Sequence, residues 1–496
     1  METSNVFNVV ETTIADIHAA FLAGNLTARE LVQIYLDRIA AYDKKGPSIN
    51  ALISLNPRAM EEADRLDKTF KSSGFAGPLH GIPMIMKDQA DIAGMATTLG
   101  SVLFEDHVAE RDGFVVSALK KAGAIFIGKA TLGELGGGDT HGSLFGSTRN
   151  VYDLERTAGG SSGGSAAAVS ANFATVAVGQ EGFASIRRPS IWNGIVGMRP
   201  TAGLVSRSGV YGGWPTINGS LGPMARTVED LAKLLDSMVG YDPNDPVTAY
   251  GFGRAPHSFA EGLDSDALRG ARIGILREPM GFASKPDTDD FQEIDGIFGN
   301  AVEALGEVGA EIIDPVIIPD LAPLLAKRAR CVEDDEAAFR TFITGSSNAH
   351  YATRKDVSNS PLFEKVVKQA RDRWLHDDSA EAHYEYLRAR EALMARLLSV
   401  MADHRLDAIV HKAVEHQPTL IRDGVNPPYV DQTGAPHINT FLVFVPSIVV
   451  PAGFTREGLP AGITFLGRPY DDARMIQFAY AYETATRHRR APETTP

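Results

Sequence analysis

The chain has 496 residues, 44% of them hydrophobic and 22% charged, which is ordinary for a globular protein. Its 48 Lys and Arg residues against 62 Asp and Glu give a net charge of −14. Because phosphate binding needs a basic face, we expect no nucleic-acid partner. The most apolar stretch, 441–450, is interrupted by Pro446 and is too short to cross a bilayer, so we expect no membrane partner.

The first residues have neither the basic start nor the apolar core of a signal peptide. The single cysteine, Cys331, excludes an intrachain disulfide and fits a reducing compartment. Basic neighbours on its N-terminal side could lower the pKa of this thiol, although a bystander role is the simpler interpretation. We therefore expect a cytoplasmic protein.

Helices and strands alternate along the chain. Thr27 and Glu30 form a capping box before a helical apolar pattern. Thr227 and Asp230 begin a second helix, with Gly240 as its expected end. Between the helical patterns lie short apolar runs typical of strands buried on both faces, at 82–86, 124–127, 273–276, 408–410 and 448–450. This alternation predicts an α/β fold with a large, mostly parallel sheet.

Residues of about 326–440 differ in composition from the rest of the chain. They are rich in charge and in helical signals, notably at 382–401, and contain few strand candidates. We predict that this segment, the cap region, is a mainly helical cover over the substrate site. It would lie within one domain that spans residues 1–496.

A cluster of glycine and serine occupies residues 159–165 and runs into a helix-competent apolar stretch, which argues against a flexible linker. A phosphate cradle would lack the Gly-Lys-Ser/Thr ending of a P-loop. A nucleophile elbow centred on Ser161 matches Gly-x-Ser-x-Gly, but it needs an acid and a histidine. The candidate histidines stand in no supporting context: His404, His411, His416 and His437. The third interpretation makes the cluster half of a serine–serine–lysine site.

The chain also resembles the amidase signature family through a series of ordered segments between Leu26 and Glu483. The glycine-serine cluster with its alanines resembles the core of that signature. The other matching segments, in chain order, are 77–88 (Gly-Pro-Leu-His-Gly-Ile-Pro-Met-Ile-Met-Lys-Asp), 128–129 (Gly-Lys), 146–150 (Gly-Ser-Thr-Arg-Asn), 185–189 (Ser-Ile-Arg-Arg-Pro), 194–201, 222–224, 451–454 and 458–460. The resemblance implies one α/β domain, with a large mixed β-sheet surrounded by helices.

The same resemblance implies a catalytic triad. Ser185 would be the nucleophile, Ser161 the bridging serine after a cis peptide bond, and Lys87 the base. A lysine base must be neutral, yet a free lysine with a pKa of about 10.4 is almost wholly charged at pH 7. Burial behind the apolar run 82–86 would lower that pKa, provided that Asp88 points away from the amine.

Backbone N–H groups of Gly182, Phe183, Ala184 and Ser185 are expected to hold the oxyanion. This segment departs from the family's Gly-Thr-Asp-x-Gly-Gly-Ser, because Phe183 and Ala184 replace two glycines. A positive φ there would be costly for either residue. Phe183 could wall the acyl pocket or pack in the core, and Arg187 is expected to hold the turn rather than touch substrate.

The implied activity is hydrolysis of linear amide-like C–N bonds through a serine acyl-enzyme, without metal or cofactor. An aromatic pocket would favour aryl amides, anilides and aryl carbamates (urethanes), with esters as side substrates. Its candidate residues are equally core candidates: Phe183, Trp192, Tyr211 and Trp214. The alternative is a glutamine-dependent amidotransferase subunit, and a catalytically dead scaffold is disfavoured by the intact triad. Partners would be a small-molecule amide or carbamate, with a homodimer possible. No metal-binding motif occurs in the sequence, and His411 and His416 fit ordinary hydrogen-bonded histidines.

Overall fold

The computed structural model describes residues 7–212 and 219–496. Within these residues the strands are β1 (Leu52–Leu55), β2 (Pro83–Lys87), β3 (Ile125–Ala130), β4 (His141–Gly142), β5 (Gly146–Ser147), β6 (Val176–Glu181), β7 (Val196–Arg199), β8 (Ser220–Ala225), β9 (Arg272–Leu276), β10 (Gly281–Phe282), β11 (Glu311–Val316), β12 (Ala408–Lys412), β13 (Ala435–Pro436), β14 (Ser447–Phe454) and β15 (Pro460–Leu466). All five apolar runs singled out in the sequence lie in or overlap strands.

The helices of the same described residues are α1 (Ile14–Leu22), α2 (Ala28–Tyr42), α3 (Ala59–Ser73), α4 (Phe114–Lys121), α5 (Gly163–Ser170), α6 (Arg187–Trp192), α7 (Val228–Asp236), α8 (Thr248–Gly251), α9 (Asp289–Glu307), α10 (Leu321–Leu325), α11 (Val332–Ile343), α12 (Arg354–Ser358), α13 (Lys368–Leu375), α14 (Ala380–Asp403), α15 (Ile421–Val425) and α16 (Asp472–Thr486). None of the described helices is long and apolar enough to cross a membrane.

One large sheet organises the fold, with strand order β1-β3-β2-β6-β8-β7-β14-β15-β12-β9-β11. Four of its pairings are parallel: β2 with β3, β2 with β6, β9 with β12, and β9 with β11. The other six are antiparallel, so the mixed sheet implied by the family resemblance is confirmed and the mostly parallel sheet is wrong. An apolar run in the sequence shows that a strand is buried, but it does not show whether that strand runs parallel or antiparallel to its neighbours. Direction depends on the connections, and the short 455–459 loop forces β14 and β15 into a hairpin.

The predicted helix starts are correct, and one predicted helix end is wrong. The Thr27 hydroxyl accepts from the N–H of Glu30, and the Glu30 carboxylate accepts from the N–H of Thr27. These two bonds form a capping box at the start of α2. Thr227 likewise caps α7 by accepting from Asp230 N–H. That helix ends at Asp236 rather than beside Gly240, because Ser237 and Met238 turn the chain with bonds to Leu234 and Leu235.

The cap region contains helices α11 to α15, but it also contains β12, a strand of the large sheet. Its helices α11 to α14 end at Asp403, and the chain then enters the large sheet as β12. Phe339, Phe342 and Trp374 of these helices pack against Leu99 and Phe104 from the N-terminal half, in a cluster separate from the main core. Helices α11 and α13 therefore pack on residues of the N-terminal half, whereas 408–412 belongs to the sheet itself.

Candidate active site

Lys87 is the last residue of β2, which lies between β3 and β6 in the sheet. Its side chain has no exposure to solvent. The Nζ atom lies 2.7 Å from Ser161 Oγ and 3.2 Å from the carbonyl oxygen of Gln180 at the end of β6. The apolar run that precedes Lys87 is thus a central strand that carries the amine into a dry interior.

The environment of Lys87 favours the neutral amine. Burial lowers the pKa of Lys87 well below its usual value, and the charge of Glu181 opposes that effect only in part. Asp88 faces the other way, because one of its oxygens pairs with Lys129 Nζ at 2.7 Å and the other accepts from Thr98 N–H at 3.0 Å. The carboxylate next in sequence therefore has its own partner and does not neutralise the amine.

Ser161 follows a cis peptide bond with Gly160 and precedes the fully buried helix α5. Its hydroxyl donates to the carbonyl of Gly136 at 3.0 Å, in addition to its contact with Lys87. The glycines allow close approach of backbones here. A Cβ on Gly160 would lie 2.1 Å from the Gly138 carbonyl oxygen, and one on Gly163 would lie 2.2 Å from Thr140 Oγ1. Bare backbone is therefore a packing requirement of this turn.

Ser185 lies in the turn between β6 and α6, which we call the nucleophile turn (residues 182–186). It is nearly buried, with 7% of its surface exposed. Ser162 N–H donates to the Ser185 carbonyl at 3.0 Å, so the turn and the Ser161 segment are joined by backbone. The three residues predicted from the sequence therefore come from adjoining segments at the ends of β2 and β6.

Glu181 is a site residue that the sequence reasoning missed. Its buried carboxylate accepts from Ile186 N–H at 2.8 Å and Arg187 N–H at 3.0 Å, and it pairs with Arg187 Nε at 2.7 Å. Arg187 also donates to the Phe183 carbonyl at 3.1 Å. Arg187 thus holds the turn, as expected. The sequence could have indicated Glu181, because this acidic residue stands where the family segment has Asp.

The N–H groups of Gly182, Phe183, Ala184 and Ser185 donate to no acceptor among the residues that the structure describes. None of the four residues has a left-handed φ, so the loss of two glycines costs no backbone strain. Phe183 is 3% exposed and its ring packs against His437 rather than lining the cavity described next. Of the two roles expected for Phe183, packing is the one observed.

A small cavity lies beside Gly136, the residue whose carbonyl accepts from Ser161. Its lining combines the N-terminal half with the cap region: Leu135, Gly136, Gly137, Tyr211, Gly212, Arg330, Ala370, Arg373 and Trp374. Of the predicted aromatics, Tyr211 lines this cavity. Trp192 is a core residue that donates to the His416 carbonyl at 3.0 Å, and Trp214 lies outside the described residues.

The match to a family model, called Amidase, covers residues 30–476. The chain belongs to the amidase family. It is 32% identical to a component of the glutamyl-tRNA(Gln) amidotransferase of Symbiobacterium thermophilum over 494 residues, which cover 96% of this chain and 97% of that protein. The peptide amidase of Stenotrophomonas maltophilia superposes with a TM-score of 0.87 at 33% identity, covering 98% of this chain and 99% of that one. A bacterial aryl acylamidase superposes with a TM-score of 0.81 at 25% identity, covering 96% and 97%.

A chain of charged residues, buried at one end and half-buried at the other, joins helix α6 to the cap region. Arg188 donates to the Gly160 carbonyl at 2.9 Å and pairs with Asp139 at 2.7 Å. The N–H of Asp139 in turn donates to Asp431 at 2.7 Å, and Asp431 pairs with Arg373 at 2.8 Å. Burial raises the pKa of Asp139 to about 6, although Arg188 opposes that rise. These partners are far apart in sequence, so no local pattern indicated them.

His411, His416 and Cys331 have partners other than the three residues predicted as a triad. The Ser161 hydroxyl contacts an amine and a carbonyl, not an imidazole as a nucleophile elbow would require. His416 is bonded to Asp290 at 2.8 Å, and burial lowers the pKa of His411 to about 3. Burial raises the pKa of Cys331, and the carboxylates of Glu333 and Asp334 add to that rise, contrary to the lowering that its basic neighbours suggested. Cys331 shares a group of potential metal ligands with Asp334 and His383 that contains no triad residue.

Proposed function

We propose that this chain is a standalone amidohydrolase that cleaves linear C–N bonds through an acyl-enzyme on Ser185. The observation that carries the proposal is the 2.7 Å contact between Lys87 Nζ and Ser161 Oγ in a fully buried setting. Burial lowers the pKa of this amine, which favours its neutral, proton-accepting form, and a serine hydroxyl beside it can relay a proton. Lys87, Ser161 and Ser185 are the proposed catalytic residues, and no metal or cofactor is needed.

Acylation begins when the Ser161 hydroxyl turns from the Gly136 carbonyl to the lone pair of Lys87. Ser161 then accepts the proton of Ser185 and passes its own proton to the amine. Ser185 Oγ attacks the substrate carbonyl, and the carbonyl electrons move to oxygen. The N–H groups of Gly182 to Ser185, which lack described acceptors, supply donors for that oxyanion.

Collapse of the tetrahedral adduct breaks the C–N bond. The proton on Lys87 returns through Ser161 to the leaving nitrogen, so the amine departs neutral. Water then attacks the acyl-enzyme with the same relay acting as base, which releases the acid and regenerates Ser185. With an aryl carbamate the same steps release an arylamine and leave an alkoxycarbonyl enzyme, whose hydrolysis yields a carbonic monoester that loses carbon dioxide.

Aryl amides, anilides and aryl carbamates are the proposed substrate class. Tyr211 and Trp374 give the cavity two aromatic walls, and Leu135 and Ala370 add apolar surface. Flat apolar walls favour an aryl group over a strongly hydrated one. The likeness to an aryl acylamidase supports this class. Esters should also react, because their leaving groups require less protonation. The cap region would close over the bound small molecule.

The second candidate is a glutamine-dependent amidotransferase subunit. It is favoured by the 32% identity to a component of a glutamyl-tRNA(Gln) amidotransferase, which extends over nearly the whole length of both chains. Its activity would be glutamine hydrolysis that depends on a partner protein. A protein acting alone on anilides distinguishes the first candidate from the second.

The test uses purified protein without ATP or partners. Release of p-nitroaniline from acyl p-nitroanilides and from methyl N-(4-nitrophenyl)carbamate is measured between pH 7 and 10, with glutamine assayed in parallel. The proposal expects release of p-nitroaniline that is lost in Ser185→Ala and kept in Ser117→Ala, a serine of helix α4. Glutamine hydrolysis that appears only with an added partner, and no turnover of any anilide or carbamate, would contradict it.

A further inference from the structure

The nucleophile turn carries an aromatic side chain, Phe183, that contacts two side chains from other segments. The Phe183 ring stacks on His437, with centroids 5.1 Å apart and planes only 4° from parallel. The guanidinium of Arg328 also packs on Phe183, with its Cζ atom 4.6 Å from the ring centroid. We call His437, Phe183 and Arg328 the stack. Burial lowers the pKa of His437 to about 4, so Arg328 is the charged member at neutral pH.

Other contacts join the same turn to the residues around His437. Ala184 packs with Phe183 and Ala435 in one buried cluster. Arg187 bridges the two segments by donating to the carbonyls of Phe183 at 3.1 Å and Pro436 at 3.2 Å. The turn is therefore fixed by side chains that come from outside it.

Arg328 lies close in sequence to a residue that lines the cavity beside Gly136. Arg328 is two residues before Arg330, which lines that cavity and donates to the carbonyl of Arg373 at 2.9 Å. Arg373 in turn lines the cavity and donates to the Gly137 carbonyl at 2.9 Å. A change in the cap region that displaces this segment would reach Phe183 directly.

We propose that Phe183 and Arg328 are positioning residues, which hold the N–H groups of residues 182–185 where a substrate oxyanion needs them. The inference rests on the proposed function. In this chain a stack anchored in the cap region fixes a turn that lacks the two glycines of the family pattern. The ring of Phe183 and the guanidinium of Arg328 pack on each other, so each acts through the shape of the turn.

The test compares Arg328→Lys and Phe183→Leu with wild type. Lysine keeps the charge of Arg328 but lacks its flat face, and leucine keeps apolar bulk without a ring. The control is Arg388→Lys, which changes an exposed arginine of α14 that pairs with Glu385. Retained thermal midpoints and circular dichroism spectra establish folding. If Phe183→Leu does not fold, the half-buried Arg328→Lys alone decides the test.

Two readouts separate positioning from a merely structural role. One is the division of the effect between kcat and KM on an anilide. The other is affinity for an aryl trifluoromethyl ketone, to which a serine adds so that Oγ bonds to carbon and the carbonyl oxygen becomes an oxyanion. We expect kcat and ketone affinity to fall together by about tenfold in each stack variant, with KM nearly unchanged. The double variant should be no worse than the more impaired single variant.

Unchanged kcat and ketone affinity in folded Arg328→Lys would overturn the inference, as would strictly multiplicative losses in the double variant. A wild-type protein that binds the ketone but hydrolyses no anilide or carbamate would speak against the proposed substrates. The positioning role of the stack would then be tested by ketone affinity alone, because ketone addition needs only the serine and its oxyanion donors.

Discussion

Lys87 Nζ and Ser161 Oγ lie 2.7 Å apart, and neither side chain is exposed to solvent. Their pairing joins a central strand of the sheet to the turn before a buried helix. Because Asp88 is bound to Lys129 and Thr98, this dry environment leaves the amine beside a hydroxyl instead of a carboxylate. The relay proposed above depends on this relationship.

The pH dependence of turnover should report Lys87. Because burial lowers its pKa well below the usual 10.5, kcat/KM for an anilide should rise with pH along a limb whose midpoint lies well below 10.5. Lys87→Ala should lower kcat/KM at least about 100-fold and abolish the limb. Exposed Lys121→Ala is the matched control and should keep the wild-type profile. A Lys87→Ala variant with the wild-type limb would remove Lys87 from the proposed mechanism.

Glu181→Gln should weaken the nucleophile turn and move the pH profile. It breaks the buried pair with Arg187, and loss of one partner of such a pair costs about 3–5 kcal/mol of unfolding free energy. Because the charge of Glu181 raises the pKa of Lys87, its removal should also shift the activity limb to lower pH. Urea unfolding and a pH-rate series measure the two effects. Exposed Glu303→Gln in α9 should produce neither.

Gly160→Ala should disable the site, because its Cβ would lie 2.1 Å from the Gly138 carbonyl oxygen. The expected result is loss of turnover, with a lowered thermal midpoint, as the Ser161 segment moves. Gly299→Ala is a matched control in helix α9, where no described atom lies within 4 Å of the added carbon. That change should stabilise the protein by about 0.5–1 kcal/mol. Equal behaviour of the two variants would contradict the packing account.

Glu483 should make stability depend on pH far from the active site. Its half-buried carboxyl accepts from Val228 N–H, and desolvation raises its pKa to about 8 from the usual 4.5. Between these values the folded protein holds a proton that the unfolded chain has released, so stability should fall as pH rises. The Glu483 contribution to the slope approaches about 1.4 kcal/mol per pH unit. Urea unfolding of Glu483→Gln should lack this contribution, and exposed Glu307→Gln should retain it. A Glu483→Gln profile parallel to wild type would contradict the raised pKa.

The sequence alone predicted much of the fold. Short apolar runs identified strands such as β2 and β14, because strands buried on both faces are made mostly of apolar residues. Capping residues located the starts of α2 and α7. Strand direction was predicted wrongly from the residues, because it depends on connections rather than on apolar content.

The candidate site was predictable where its residues belong to local motifs. Lys87, Ser161 and Ser185 stand in segments that resemble the family's signature and follow its order along the chain. The contacts of Arg328 and His437 with Phe183 were not predictable. These two residues come from segments about 145 and 254 residues away, and no local pattern marks such contacts. The cavity was missed for the same reason, since its walls combine distant parts of the chain.

The most direct test of the central claim is to identify which serine is acylated. The protein is quenched in acid during rapid reaction with a p-nitrophenyl ester, and the modified peptide is located by mass spectrometry after digestion. The account predicts a burst of p-nitrophenol, with the acyl group on Ser185 in wild type and no adduct at the site in Ser185→Ala. An acyl group on Ser161, or a full burst in Ser185→Ala, would contradict it.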